Sequence, residues 1–96
     1  MITSIIFSKN RPLQLDLCLN SIKQNFAQST QNLVIHNNDE SFQDAQKTLE
    51  QEHVGIQFWG QSDSLFYDIN KLVKESKNKY ICFFVDDCIC FNKIEL

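Results

Sequence analysis

Hydrophobic positions along the chain switch repeatedly between a strand-like and a helix-like period. Ile2 to Phe7 is a short β-rich run, which predicts a strand beginning almost at the first residue. From Pro12 to Phe26, the residues Leu15, Cys18, Leu19, Ile22 and Phe26 recur at helical spacing. Pro12 suits the first turn of that helix, where its missing N–H costs nothing. Leu33 to Ile35 predicts the core of a second strand, closed by the turn-rich string His36-Asn37-Asn38-Asp39. Ser41 to Glu52 predicts a second helix with Phe42, Ala45 and Leu49 on one side, and Ser41 and Asp44 stand at capping-box spacing. Val54 to Trp59 reads as a third strand, with Gly55 inside it. Ser62 or Asp63 is expected to cap a third helix that runs to about Lys77 and is apolar at Leu65, Phe66, Ile69, Leu72 and Val73. Tyr80 to Val85 predicts a fourth strand, and Ile89 to Phe91 a further short one.

This β-α-β-α-β-α-β order predicts an α/β domain: a Rossmann-like, three-layer α/β/α arrangement around a mostly parallel sheet, strand order 3-2-1-4. Helical crossovers of this length join parallel neighbours with right-handed turns. The first and fourth strands are strongly apolar, as expected of strands covered on both faces. No repeat, linker or low-complexity stretch divides residues 1–96, so a single domain is expected. Open parallel sheets bind ligands beyond the carboxyl ends of their strands, where strand order reverses. With the fourth strand beside the first, that crevice brings Ser8, Lys9, Asn10 and Arg11 close to Asp86 and Asp87.

Composition narrows the function. A 43% hydrophobic fraction with eight phenylalanines supplies a core, and two glycines with one proline argue for regular elements and short loops. Nine basic residues against twelve acidic ones give a net charge of −3, which weighs against a nucleic-acid partner, since such a partner usually calls for a basic stripe. No apolar run reaches the length of a membrane span. The first residues carry no basic start before their apolar run, so no secretory signal is read there and a cytoplasmic location is expected. Cys18, Cys82, Cys88 and Cys90 are therefore expected to be reduced thiols. Cys88 and Cys90 have no second cysteine pair or paired histidines to complete a zinc site.

The chemistry concentrates at "KYICFFVDDCIC", where a buried-looking strand ends in two adjacent carboxylates. Such a pair repels itself and resists burial, so an ion or ligand at the rim is one way to tolerate it. No G-x-x-x-x-G-K-S/T loop and no G-x-G-x-x-G turn is present. Adjacent carboxylates are hard oxygen ligands suited to Mg²⁺ or Mn²⁺. An ion held there can bridge a diphosphate, and Lys9 and Arg11 can add positive charge beside it.

In order and spacing, four stretches resemble the nucleotide-binding half of GT-A-fold glycosyltransferases of the family 2 type: "ITSIIFSKNRPLQLDLCLNSIKQNF", "LVIHNNDES", "SDSLFYDIN" and "KYICFFVDDCIC". The resemblance implies a nucleotide-diphosphate sugar of the UDP or GDP type as donor. It implies donor contacts from Ser8, Lys9, Arg11, His36, Asp39, Asn70 and Asp86, and a Mn²⁺ or Mg²⁺ ion on Asp86 and Asp87. The chain departs from the family at Ser8-Lys9, where Pro-Thr is usual, at His36, where an aspartate often ends the second strand, and at Cys88, where a further acid is common. In that family the acceptor site and the base follow the metal motif. The resemblance thus implies the donor-binding half of a longer enzyme, peripheral to a membrane as a whole. Transfer to a sugar, lipid or protein hydroxyl would proceed by direct displacement, with the base lying outside these residues. A second copy could cover the open side of such a half.

Each candidate also has an ordinary structural reading. Asp86 and Asp87 could form a solvated turn, Lys9 and Arg11 could be surface charges, and Asp39 could cap the second helix. His36 could be a structural histidine, and Asn70 could make a local hydrogen bond. Phe58 and Trp59 are expected to pack in the core or at its rim. The alternative function is a non-catalytic α/β interaction module on the same scaffold; a redox protein using Cys88 and Cys90 is a third.

Overall fold

A computed structural model describes residues 1–90. Its elements are β1 (Ile2–Lys9), α1 (Pro12–Asn25), β2 (Ser29–Asn37), a single 3₁₀ turn (Glu40–Phe42), α2 (Gln43–Glu52), β3 (Gln57–Gly60), α3 (Leu65–Glu75) and β4 (Tyr80–Val85). The four strands form one parallel sheet in the order β3-β2-β1-β4. The predicted fold class and strand order therefore hold.

The layers follow from the handedness of the crossovers. The first two step the same way across the sheet, so α1 and α2 lie on one face; the third doubles back and puts α3 on the other. The α1/α2 face packs Ile6 and Val34 against Leu15, Cys18, Leu19, Ile22, Phe26 and Leu49. The α3 face packs Ile5, Leu33 and Ile35 against Leu72, with Phe7, Trp59, Ile69 and Ile81 at its margin. Ile5 and Ile6 are both fully buried, as a central strand sandwiched between two layers requires. At the amino ends of the strands a polar knot ties the layers together. The Ser76 hydroxyl donates to Thr3 Oγ1 at 2.7 Å, Thr3 donates to Gln31 Oε1 at 2.9 Å, and Lys77 N–H donates to the same oxygen at 2.8 Å.

Several expectations are corrected. β4 is not covered on both faces: Tyr80, Phe83 and Val85 are at least half exposed. It is an edge strand, and α3 makes its buried contacts with β1 and β2 instead. Ser41 and Asp44 form no capping box, because the 3₁₀ turn intervenes and Phe42 takes the N-cap position of α2 without a side-chain hydrogen bond. On α2, Gln46 and Leu49 face inward while Ala45 stays exposed. β3 starts three residues later than predicted; Val54 is exposed and Gly55 turns the chain at φ 96°. The cap of α3 is Ser64, whose hydroxyl accepts from Tyr67 N–H at 3.2 Å; Ser62 instead donates to the Asp68 carboxylate at 2.7 Å. Ile89 and Cys90 are not in a strand, and the rest of that predicted element lies outside the described residues. No helix among the described residues is long and apolar enough to cross a membrane. The four cysteines are free thiols, and no cluster of three or more potential metal ligands exists among the described residues.

Candidate functional site

β1 and β4 are paired from Ile2–Tyr80 to Phe7–Val85, so the residues that follow each strand leave the sheet side by side. Asp86 comes directly after β4 and is 6% exposed. Its Oδ2 accepts from the Ser8 hydroxyl at 3.0 Å, and its Oδ1 lies 3.7 Å from Arg11 Nη1. Burial of a carboxylate costs several kcal/mol unless donors and a counter-charge compensate, and here both are supplied from the β1 end. Of the residues that topology brings together after the first and fourth strands, Ser8 hydrogen-bonds Asp86 and Arg11 forms an ion pair with it, while Lys9, Asn10 and Asp87 make no such contact among the described residues.

These residues wall a cleft of about 340 Å³. Its lining combines Lys9, Arg11 and Asp86 with the polar Ser8 and Gln61 and the apolar Phe7, Ile35, Leu65 and Val85. Arg11 is about half exposed, and its separation from Asp86 exceeds hydrogen-bond length, so its guanidinium donors remain available to an anion. Lys9 is exposed and has no acidic partner within ion-pair distance among the described residues. An apolar floor with two cations at the mouth suits a ring-bearing anion better than a neutral solute.

The turn between β1 and α1 is held by Asn10, which adopts φ 54°, in the left-handed region that asparagine tolerates better than most residues. Its N–H donates to Asn38 Oδ1 at 2.7 Å, its Nδ2 donates to Asp39 Oδ2 at 2.9 Å, and its Oδ1 accepts from Asp39 N–H at 2.6 Å. Asp39 thus neither caps a helix with its side chain nor lines the cleft; it fastens the β1 loop to the β2 loop. Asn10 was expected near Asp86 and Asp87, and its bonds run instead to Asn38 and Asp39. The signal for its turn was there, since asparagine is enriched at positive φ in turns.

A second hollow of about 210 Å³ lies behind this clamp, where α2 passes the end of β2, lined by His36, Asn38, Gln43, Gln46, Lys47 and Glu50. His36 is half-buried; burial pulls its pKa below the usual 6.5, partly opposed by the Glu50 carboxylate. Gln46 is 4% exposed; its Oε1 accepts from Asn38 Nδ2 at 2.8 Å, and its Nε2 is buried with no hydrogen-bond partner among the described residues. Nothing in the helical pattern marked Gln46, because a buried amide at a core-facing position looks like an ordinary polar residue until its partner is known.

The structure does not bring Asn70 to either hollow: it is exposed on α3, one residue beyond the sheet-facing Ile69. Asp87 is exposed beside the cleft, while Cys88 N–H donates to Val85 carbonyl at 3.0 Å to close the turn between them. The two aspartates therefore differ. Asp86 has both oxygens engaged by Ser8 and Arg11, and Asp87 is exposed to solvent. A single carboxylate suits Mg²⁺ or Mn²⁺ only where substrate phosphates complete the shell, which is a common way for these ions to bind. The described residues do not by themselves make a cage for such an ion. Cys18 packs under this turn, and its thiol is pushed up to about 12, first by burial and then by the neighbouring Cys88, Cys90, Asp86 and Asp87.

No family model, no curated protein and no solved structure matches this chain.

Proposed function

We propose that the chain is the donor-binding half of a metal-dependent glycosyltransferase, holding a nucleotide-diphosphate sugar of the UDP or GDP type in the cleft between β1 and β4. The observation that carries this reading is the buried Asp86 held by Ser8 and Arg11 in a cleft that Lys9 also lines. Asp86 is oriented by two donors and lies at the cleft wall, so its remaining lone pairs suit a ribose or sugar hydroxyl. Lys9 and Arg11 would meet the diphosphate, Arg11 in a planar, fork-like manner. Asp87 would hold Mn²⁺ or Mg²⁺ together with that diphosphate; when bound, the ion neutralises the leaving group. The apolar stretch formed by Phe7, Ile35 and Leu65 excludes water from one side of the cleft. The acceptor hydroxyl and its base would come from outside these residues.

A second reading, a non-catalytic interaction module, draws support from the exposed apolar side chains of β4, which a partner or a second copy of the chain could cover. Thermal unfolding with Mn²⁺ and UDP or GDP separates the two. A midpoint rise that needs ion and nucleotide together, and disappears in Asp87→Ala, is the expected result. Ligand at 100 times its Kd would add about 2.7 kcal/mol to stability. No response to any nucleotide in the presence of either ion would favour the interaction module.

A further inference from the structure

We propose that the groove between α1 and α2 is a docking site for a basic amphipathic helix of another protein, one that presents lysine or arginine beside large apolar side chains. The groove shares no lining residue with the Arg11–Asp86 cleft, so the inference does not rest on the donor reading above.

The groove exists because α2 offers short side chains where it passes α1. Ala45 and Thr48 stand there, and both are exposed. The Thr48 hydroxyl donates back to the Asp44 carbonyl at 3.2 Å, so it asks nothing of a ligand. Buried Leu49 closes the floor, and Pro12 and Leu13 form the wall contributed by α1. Leu13 is 68% exposed, and Leu17, one helical turn on, is 51% exposed. Residues four apart lie on one face of a helix, so an apolar strip runs along α1 beside the groove. A single exposed leucine is ordinary, but a strip that borders an apolar groove marks a surface that gains from being covered.

Charge selects the occupant. Asp16 and Glu52 line the groove, and no lysine or arginine does. Asp16 Oδ1 accepts from His53 Nε2 at 2.7 Å and from Asn20 Nδ2 at 3.5 Å, while its Oδ2 has no partner among the described residues. His53 leaves the charge of Asp16 standing. Its Nδ1 is buried without a partner among the described residues, and a proton there would be a buried donor lacking an acceptor. The ring therefore keeps its one proton on Nε2 and is neutral. Glu52 is exposed and forms no ion pair among the described residues. Because His53 follows Glu52 and bonds Asp16, the two carboxylates stand at one end of the groove, with Leu13 and Ala45 toward the other. Such a surface attracts lysine or arginine and repels an anionic membrane. Shape narrows the choice further. The groove holds about 330 Å³ and lies open between two helices, whereas a small-molecule site encloses most of its ligand. A trough of this kind takes the side-chain ridge of a third helix, and no strand edge lies there to pair with an extended peptide.

The test uses the full chain and a fluorescently labelled synthetic helix of about 18 residues, long enough to hold its shape, built from leucine and lysine in an amphipathic repeat. Binding is followed by fluorescence anisotropy at about 0.1 M salt, where distant charges are screened. This peptide should bind, and neither its leucine–glutamate counterpart nor a lysine–serine peptide of the same charge should do so. Leu13→Asp should weaken binding about tenfold and Glu52→Lys about fivefold. Glu75→Lys, the same change of charge on α3 in the opposite layer, should weaken it less than about twofold. Leu13 and Glu52 are both exposed, so these variants should fold. If either does not, nitrogen-15-labelled wild type decides: the backbone amide signals of Leu13, Ala45 and Thr48 should shift on adding the leucine–lysine helix. The proposal is overturned by absence of binding, by equal weakening from Glu52→Lys and Glu75→Lys, by equal binding of the lysine–serine peptide, or by shifts confined to other residues. A dimer of the chain alone, seen by sedimentation and dissolved by Glu52→Lys, would overturn it too, since the groove would then belong to a second copy.

Discussion

The contacts of Asn10 allow a sharp stability prediction. Asn10→Ala removes the two side-chain bonds to Asp39 and leaves the bond from its own N–H to Asn38 in place. Each lost bond is partly solvated and is worth about 0.5–1 kcal/mol. Alanine at φ 54° adds about 1 kcal/mol of left-handed strain. The sum is about 2–3 kcal/mol. For a domain of this size each kcal/mol corresponds to roughly 4–8 °C in Tm, so the midpoint should fall by roughly 8–24 °C. Asn10→Gly loses the same two bonds but tolerates the backbone angle, at a small entropic penalty from the more flexible unfolded chain. Its loss should be about 1–2 kcal/mol. The order of stability is then wild type, Asn10→Gly, Asn10→Ala, measured by urea unfolding followed with far-ultraviolet circular dichroism. Two results would refute the reasoning. If Asn10→Ala stays within about 0.5 kcal/mol of wild type, the clamp is only a surface feature. If the glycine variant is the less stable of the two, backbone strain has no part in the cost.

Two further outcomes follow from titrating groups. Burial holds the Cys18 thiol up near 12, so almost no thiolate exists at pH 8; native protein treated with a limiting thiol reagent should be modified at exposed Cys88 and not at Cys18, as read by peptide mass spectrometry. The His36 pKa is lowered in the folded state, so between 6.5 and that lower value the unfolded chain binds more protons and stability declines as pH falls through this window. His36→Gln should flatten that part of the stability–pH curve, and an unchanged slope would count against burial as the cause.

Legibility in the sequence depended on whether a feature was local. β4 was predicted at its observed bounds because Tyr80–Val85 is an unbroken apolar run set between polar turns. β3 was misplaced because Val54 is apolar yet sits in a turn made by Gly55, and hydrophobicity alone does not show backbone direction. Ser41 and Asp44 had the spacing of a capping box, but a 3₁₀ turn changed where α2 begins. At the site, Ser8, Arg11 and Asp86 could be brought together from topology, since parallel neighbours end on the same side. Asn38 and Gln46 could not, because each gains significance only from the other and from Asn10, 28 residues distant from Asn38.

The doubling back of the third crossover has a consequence for anyone altering this protein. The chain leaves β1 toward α1 and leaves β3 toward α3 in the opposite layer, so the segments after β1 and β3 that wall the cleft diverge, and the gap between them is produced by the path of the chain. Replacing Ser8, Arg11 or Asp86 will strip that gap of its polarity without filling it. The scaffold can therefore be relined with other chemistry while its winding preserves a place for a guest.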